Sequence, residues 1–310
     1  MHLFLRHTWP RLNCCHLDKQ LHIGIIIARS PLMGVLETDE PGNTWCDYAA
    51  KYDYTIGLRR RDWAWEFLRR NSRFAEIAYT GEQKFQASDS CIPNSKVLHL
   101  YERNRQAEEW GLVFYPNPDQ ASPLADVYWL PEIDPAIVSV LVTPRQPHER
   151  DEMKAAIESC QIDVFRDPTG TEHLLTRGAF STAQSICSGL SLLHARQPVK
   201  VNLDMRGPGR MERALAAYKQ AEEILHPGPW RWTERTKRLR NALICLDVKD
   251  AGLTLRHAAM IIHSEARVEE DWSRQRAFRD RMRSYHRTGE RLRAGGYRQL
   301  LNGKPLEAMC

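Results

Sequence analysis

The sequence predicts a mainly α fold of α+β type: a helical N-terminal module, a small β-hairpin element and a C-terminal helix-turn-helix-like bundle. Three observations carry that expectation. Apolar residues recur at helical spacing over 45–78 and again over 233–292. Between these stretches, two short apolar runs, Ile162–Phe165 and His173–Leu175, flank Asp167-Pro168-Thr169-Gly170, where proline presets the first turn torsion and glycine supplies a positive φ. The 310 residues leave room for two domains on ordinary domain sizes.

Taken in order, residues 1–44 show no sustained period and read as an irregular extension, with Met33 a candidate alternative start. An N-terminal module follows over 45–143, a linker at Pro144–His148, and a second domain over 150–303. Trp45, Tyr48, Ala49 and Tyr52 share a helical face. Asp62 is placed to cap a helix whose face holds Ala64, Phe67, Leu68, Asn71, Ala75 and Ala78. Trp63, Arg70 and Phe74 lie to the sides of that face, and the aromatic residues of this stretch belong in the core. Gly81–Ser95 reads as a loop, Glu102–Glu109 as a short helix, and Trp110–Pro116 as a strand closed by proline. Ile137–Val142 is a buried strand, and Val199–Leu203 another. Met211–Leu225 is a helix, broken by His226-Pro227-Gly228-Pro229. Thr233 caps a helix to Asp247, and Thr254 caps Leu255–Ile262. A long helix runs from about Asp271 and closes at Gly295-Gly296.

The charge is uneven. Net charge is +5, yet residues 233–310 alone hold 14 Arg and 3 Lys against 10 Asp or Glu. A basic C-terminal third on a near-neutral body fits a polyanionic partner and equally a solvated basic face; double-stranded DNA is the partner expected from the helix below. The eight cysteines form no Cys-x-x-Cys pair and sit at no zinc-like spacing, so they read as reduced thiols of a cytoplasmic protein. The longest apolar run, Ile23–Ala28, falls far short of the ~20 residues of a membrane span. The N-terminus lacks the apolar stretch and cleavage site of a signal peptide.

The long basic helix carries the chemistry. At 100° per residue, Phe278, Met282, Tyr285 and Leu292 form a packing seam. Arg276, Arg283, Arg287 and Arg291 fall on the opposite side, Arg279 flanks the seam with Arg281, and Arg274 lies near the helix start. Arg274, Arg276, Arg279, Arg283, Arg287 and Arg291 are therefore the candidate DNA contacts. Guanidinium binds phosphate oxygens or a guanine edge through two parallel hydrogen bonds, a geometry lysine lacks. A short helix centred on Ala258-Ala259 before a long basic one follows the helix-turn-helix plan. Two features depart from it. The connection His263–Glu270 is long, and Glu265, Glu269 and Glu270 would repel phosphate near the helix start, which moves the expected contacts onto the helix body. The alternative reading is a non-enzymatic adaptor whose basic helix docks on an acidic protein.

Residues 253–301 resemble the end of the RovC-like DNA-binding domain family. The residues that carry the likeness are Leu253-Thr254-Leu255-Arg256-His257-Ala258-Ala259, Trp272, Arg279-Asp280-Arg281 and Gly295-Gly296-Tyr297-Arg298-Gln299-Leu300-Leu301. Trp63-Ala64-Trp65-Glu66-Phe67-Leu68-Arg69-Arg70-Asn71 is similar to the small transcriptional-regulator module that precedes it, and Trp110-Gly111-Leu112 and Tyr128-Trp129-Leu130-Pro131-Glu132 fit that module's continuation. The resemblance spans roughly 45–301. It implies DNA binding, a link to type VI secretion transcription factors and a homo-oligomer, without implying the same target genes.

Enzyme signatures are missing. Gly207-Pro208-Gly209 lacks the third glycine of a dinucleotide fingerprint, and its proline removes an amide that a phosphate would use. There is no Walker lysine motif and no Gly-x-Ser-x-Gly elbow. His257 and His263 stand six apart without a His-Glu-x-x-His frame. The expectation is no catalytic residue, no cofactor and no metal.

Overall fold

Residues 45–81, 85–88, 95–149, 161–193, 198–204, Lys219 and 229–303 are described by the computed structural model. The irregular extension and the Met211–Leu225 helix lie outside these residues. The helical half follows the sequence closely at its caps. Thr233 caps α5 (Glu234–Asp250) by accepting from the Thr236 amide at 3.1 Å. Thr254 opens α6 (Leu255–His263), where its amide donates to His257 Nδ1 at 3.2 Å. Upstream, α1 (Trp45–Ala50) and a 3-10 turn (Asp53–Gly57) lead into α2 (Arg60–Leu68). Asp62 sits three residues inside α2 rather than at its cap, and its carboxylate accepts from the Arg59 amide at 2.9 Å. The single helix expected through Ala78 is two: Asn71 caps α3 (Ser72–Thr80), accepting from the Phe74 amide at 3.0 Å. A short α4 (Arg105–Glu109) follows, capped by Asn104.

The expectation of a mainly helical fold with only a small hairpin is corrected by a seven-stranded mixed sheet. Its strands are β1 (Phe85–Ser88), β2 (Val97–Leu100), β3 (Val138–Pro144), β4 (Gln161–Arg166), β5 (Glu172–Arg177), β6 (Thr182–Gly189) and β7 (Val199–Leu203), in the order β1-β2-β4-β5-β6-β3-β7. The expected hairpin is real: β4 and β5 pair antiparallel, with Gly170 at φ 87° in the turn. It is the middle of the sheet rather than an isolated ribbon. On one side β2 adds parallel to β4; on the other β6 adds antiparallel to β5, and β3 adds parallel to β6. A lone hairpin is marginal in water, and its open edges need partners. The expected loop Gly81–Ser95 contains β1, paired antiparallel with β2. Trp110–Pro116 forms no strand, only one bridge between Leu112 and Trp129.

One large apolar cluster joins the helical pieces. It holds Trp63, Trp65, Phe67, Leu112 and Trp129 together with Leu243, Leu246, Met282, Leu292, Tyr297 and Leu300. Two smaller clusters cover the sheet faces, one around Val140, Ile162 and Val164, the other around Phe114, Tyr128 and Phe165. Gln184, on central strand β6, fastens the sheet to the helical half. Its amide accepts from Trp129 N at 2.9 Å and from Arg61 Nη2 at 2.8 Å, and donates to Trp129 O at 3.0 Å.

Candidate nucleic-acid interface

The C-terminal helices continue with α7 (Glu265–Arg274), α8 (Arg276–Arg291), a π turn at Leu292–Gly296 and α9 (Tyr297–Leu301). The long helix expected from Asp271 is therefore broken at Gln275, which is extended at φ −109° and ψ 102°. The loop expected at His263–Glu270 is instead the single residue Ser264 followed by the first turns of α7. Ser264 has φ 129° and ψ 153°, a region that suits glycine and lets two helices meet almost directly. Gly295, at φ 124°, turns the chain but does not end the helical run, since α9 follows.

Charge separates the two helices after Ser264. On α7, four acids face two arginines; on α8, six arginines face Asp280 and Glu290. The packing seam of α8 is buried at Phe278, Met282 and Leu292 and half-buried at Tyr285. Gly289 belongs to it as well. A Cβ there would come 2.8 Å from the Ala242 carbonyl oxygen of α5, so glycine lets α8 lie unusually close to α5. A mid-helix glycine costs ~1 kcal/mol against alanine, and here close approach offsets that cost.

The six expected contacts are not equivalent. Arg276 is 86% exposed and Arg283 60%; Arg274 and Arg287 are exposed too, while Arg291 is half-buried. Arg276 and Arg283 both reach Asp280, at 3.4 and 2.7 Å. Such exposed pairs are worth well under ~1 kcal/mol, so a phosphate could displace Asp280 cheaply. Arg279 is turned away: it donates to the carbonyls of Trp272 and Ser273, the latter at 3.0 Å, and so caps the C-terminal end of α7. Arg293, past the end of α8, pairs with Asp250 and Glu290 at 2.7 Å each. His263 lies where α6, α7 and α8 meet, with its ring 5.1 Å from Phe278. Burial, then Arg267 and Arg281, push its pKa below the ordinary histidine value, against the opposite pull of Asp271.

The tryptophan-rich motif at 63–71 supplies what its charges concealed in the sequence. Its arginines face inward. Arg70 grips Asp247 of α5 with two hydrogen bonds, 2.7 and 3.0 Å, and Tyr52 donates to the same carboxylate at 2.9 Å. Glu66 receives Arg69 and Arg70 at 2.8 and 2.7 Å, Tyr54 at 2.7 Å and the Ser122 amide at 2.9 Å. Burial alone would raise the pKa of Glu66; Arg69 and Arg70 outweigh it and hold the carboxyl down at about 2. Asn71 adds a bond to the Arg293 carbonyl at 3.1 Å, just beyond α8. The spacing Glu66, Arg69, Arg70 is an i, i+3, i+4 charge pattern, which usually signals a solvated helix face. The interleaved Trp65, Phe67 and Leu68 were the readable sign that this face is inside.

Among the described residues, no helix is long and apolar enough to cross a membrane, and no group of three His, Cys, Asp or Glu is arranged to hold a metal. Residues 198–302 match the family model of the RovC DNA-binding domain, described as "T6SS, Transcription factor, DNA binding domain". Residues 45–115 match that of a proteobacterial transcriptional regulator-like domain. No curated protein matches the chain. The two matched segments contain, respectively, the basic helix and the motif whose Arg70 is buried against α5, the helix on which the basic one packs.

Proposed function

We propose that this chain, a transcriptional regulator with a DNA-binding domain by its two matched segments, grips duplex DNA with the outer face of α8. The observation that carries the reading is the exposed row Arg276, Arg283 and Arg287, opposite a seam packed on α5, with Arg274 at the corner before it. A helix held this rigidly presents its guanidinium groups at fixed spacing to phosphates or guanine edges. The neighbouring α7, with more acids than bases, is poorly suited to enter a groove. Arg279 serves the site by holding the corner between α7 and α8, and Arg291 stands at the half-buried end of the row.

The test replaces Arg283 and Arg287 together with alanine and measures promoter binding across a salt series. Each phosphate contact removed lowers the log–log salt slope by about 0.9, so the slope should fall by about 1.8 while the fold is retained. An unchanged slope and affinity would remove α8 as the DNA surface. Competition by bulk DNA separates this reading from an adaptor that docks on an acidic protein: a regulator discriminates among duplexes, and an adaptor does not.

A further inference from the structure

We infer that Asp280 is the residue by which α8 selects its sequence: its carboxylate accepts from the exocyclic amine of a cytosine in the major groove. The inference rests on the reading of α8 as the DNA surface and adds the class of base pair which that surface takes. Asp280 is an acid in the middle of the arginine row. At about 100° per residue it falls within about 60° of Arg276, Arg283 and Arg287, on the side away from Phe278 and Met282. Its side chain is 48% exposed. The other acid of α8, Glu290, is engaged by Arg293 at 2.7 Å and by His286 at 3.4 Å near the far end of the helix. A helix built only to grip phosphate gains nothing from a carboxylate in its row, since that charge weakens attraction to every duplex. Helix stability does not call for it either, because exposed pairs one turn apart are weak.

The surroundings of Asp280 suit a base edge. Its neighbours one turn away are Arg276 and Ala277 before it and Arg283 and Ser284 after it. Ala277 and Ser284 are small, so a short aspartate side chain can come close to the groove floor. Arg283 Nη1 donates to Asp280 Oδ1 at 2.7 Å, and Arg276 Nε lies 3.4 Å from Oδ2, so guanidinium groups from the turns before and after hold the carboxylate. A duplex that draws Arg276 and Arg283 to its phosphates leaves Asp280 facing the groove without these counter-charges. The carboxylate is an acceptor only and then needs a donor. Guanine N7 and O6 and thymine O4 are acceptors and repel it; adenine sets its amine beside the N7 acceptor; cytosine offers its N4 amine with no acceptor of the same base beside it. Where no cytosine stands opposite, a partly desolvated charge is left unpaired, and that penalty rejects the sequence.

The experiment selects duplexes from a pool with a core of about 20 random base pairs, two helical turns, using the full chain, Asp280→Ala and Asp280→Asn. The unaltered chain should enrich sites that share one fixed cytosine. Changing that C·G pair to T·A should weaken its binding about tenfold or more at ionic strength of about 0.15 M. Asp280→Ala should bind the two duplexes within about twofold of each other, and should bind duplex of random sequence more tightly than the unaltered chain does. Asp280→Asn should move the preference at that position to adenine, whose N6 and N7 match a side-chain amide. Circular dichroism checks that the helices are retained; should the alanine variant lose them, the asparagine variant decides. The inference is overturned if the unaltered chain enriches no fixed cytosine, if Asp280→Ala keeps the same discrimination, or if Asp280→Asn still selects cytosine. A merely structural role also overturns it, and shows as an equal loss of affinity for every duplex. Failure of this inference alone leaves the salt slope of Arg283→Ala/Arg287→Ala falling as expected, whereas failure of the α8 reading leaves that slope unchanged.

Discussion

Arginine does opposite jobs at the two ends of this molecule. In α2 and just beyond it, Arg69 and Arg70 are almost fully buried and locked by Glu66 and Asp247; on α8, Arg276, Arg283 and Arg287 stand in solvent with at most one shared surface carboxylate. The same side chain is thus a structural tie in one place and a free-standing charge in the other. What decides is the neighbourhood. A guanidinium can be buried only where carboxylates and carbonyls meet nearly all its donors, and α2 supplies these from its own turn, from the Pro118 carbonyl and from α5. A count of basic residues therefore says little about a polyanion partner until the buried ones are set aside.

The sharpest way to break this comparison is one substitution made at both ends. Arg70→Ala strips a buried carboxylate of its bidentate partner and should destabilise by about 3–5 kcal/mol, whereas Arg287→Ala should change stability by less than about 0.5 kcal/mol. Urea unfolding of both variants checks it, and equal losses would erase the distinction. The next effect is smaller and tests how α8 is held in place. Gly289→Ala should cost about 1–3 kcal/mol, since the new methyl meets the Ala242 carbonyl, despite alanine's better helix propensity. A gain in stability would mean that α8 does not lie that close to α5.

The smallest effect lies where two exposed arginines reach a partly buried histidine. His263 has a folded-state pKa below its unfolded value of about 6.5, because burial and the arginines Arg267 and Arg281 oppose its protonation. The unfolded chain then takes up the proton first as pH falls. The contribution of this group is present above about pH 6.5 and is lost as pH drops toward the folded-state value. Unfolding free energy measured at pH 7.5 and 5.5 should thus fall more in the unaltered chain than in His263→Gln. Identical declines would show that the exposed arginines do not reach this interior position.

Much of the helical half was legible because its signals are local. Thr233 and Thr254 sit at helix starts, and Phe278, Met282 and Leu292 are buried as their spacing implied. The breaks were not. Gln275 and Ser264 carry no breaker signature, and an apolar period runs on across Gln275, so two helices read as one. The sheet was hardest. Thr182-Ala183-Gln184-Ser185-Ile186-Cys187 is a central strand with little apolar alternation, because Gln184 faces a backbone it must satisfy rather than a greasy partner. β1 and β2 are four residues each, too short to show a period. As for the candidate interface, the arginines on α8 were visible as a charged face, but the use of Arg279 as a cap depends on a bend that no local pattern announced.

The bond between Arg70 and Asp247 has a consequence for inheritance. Its two halves stand 177 positions apart, one in each matched segment. A gene that exchanged either segment for a foreign one would leave a lone charge inside the core unless the newcomer brought the matching partner. A neutral residue at position 70 would then be tolerated best together with a neutral one at position 247. The DNA-binding segment is in that sense not portable: its buried Asp247 needs the arginine that the short tryptophan-rich motif brings.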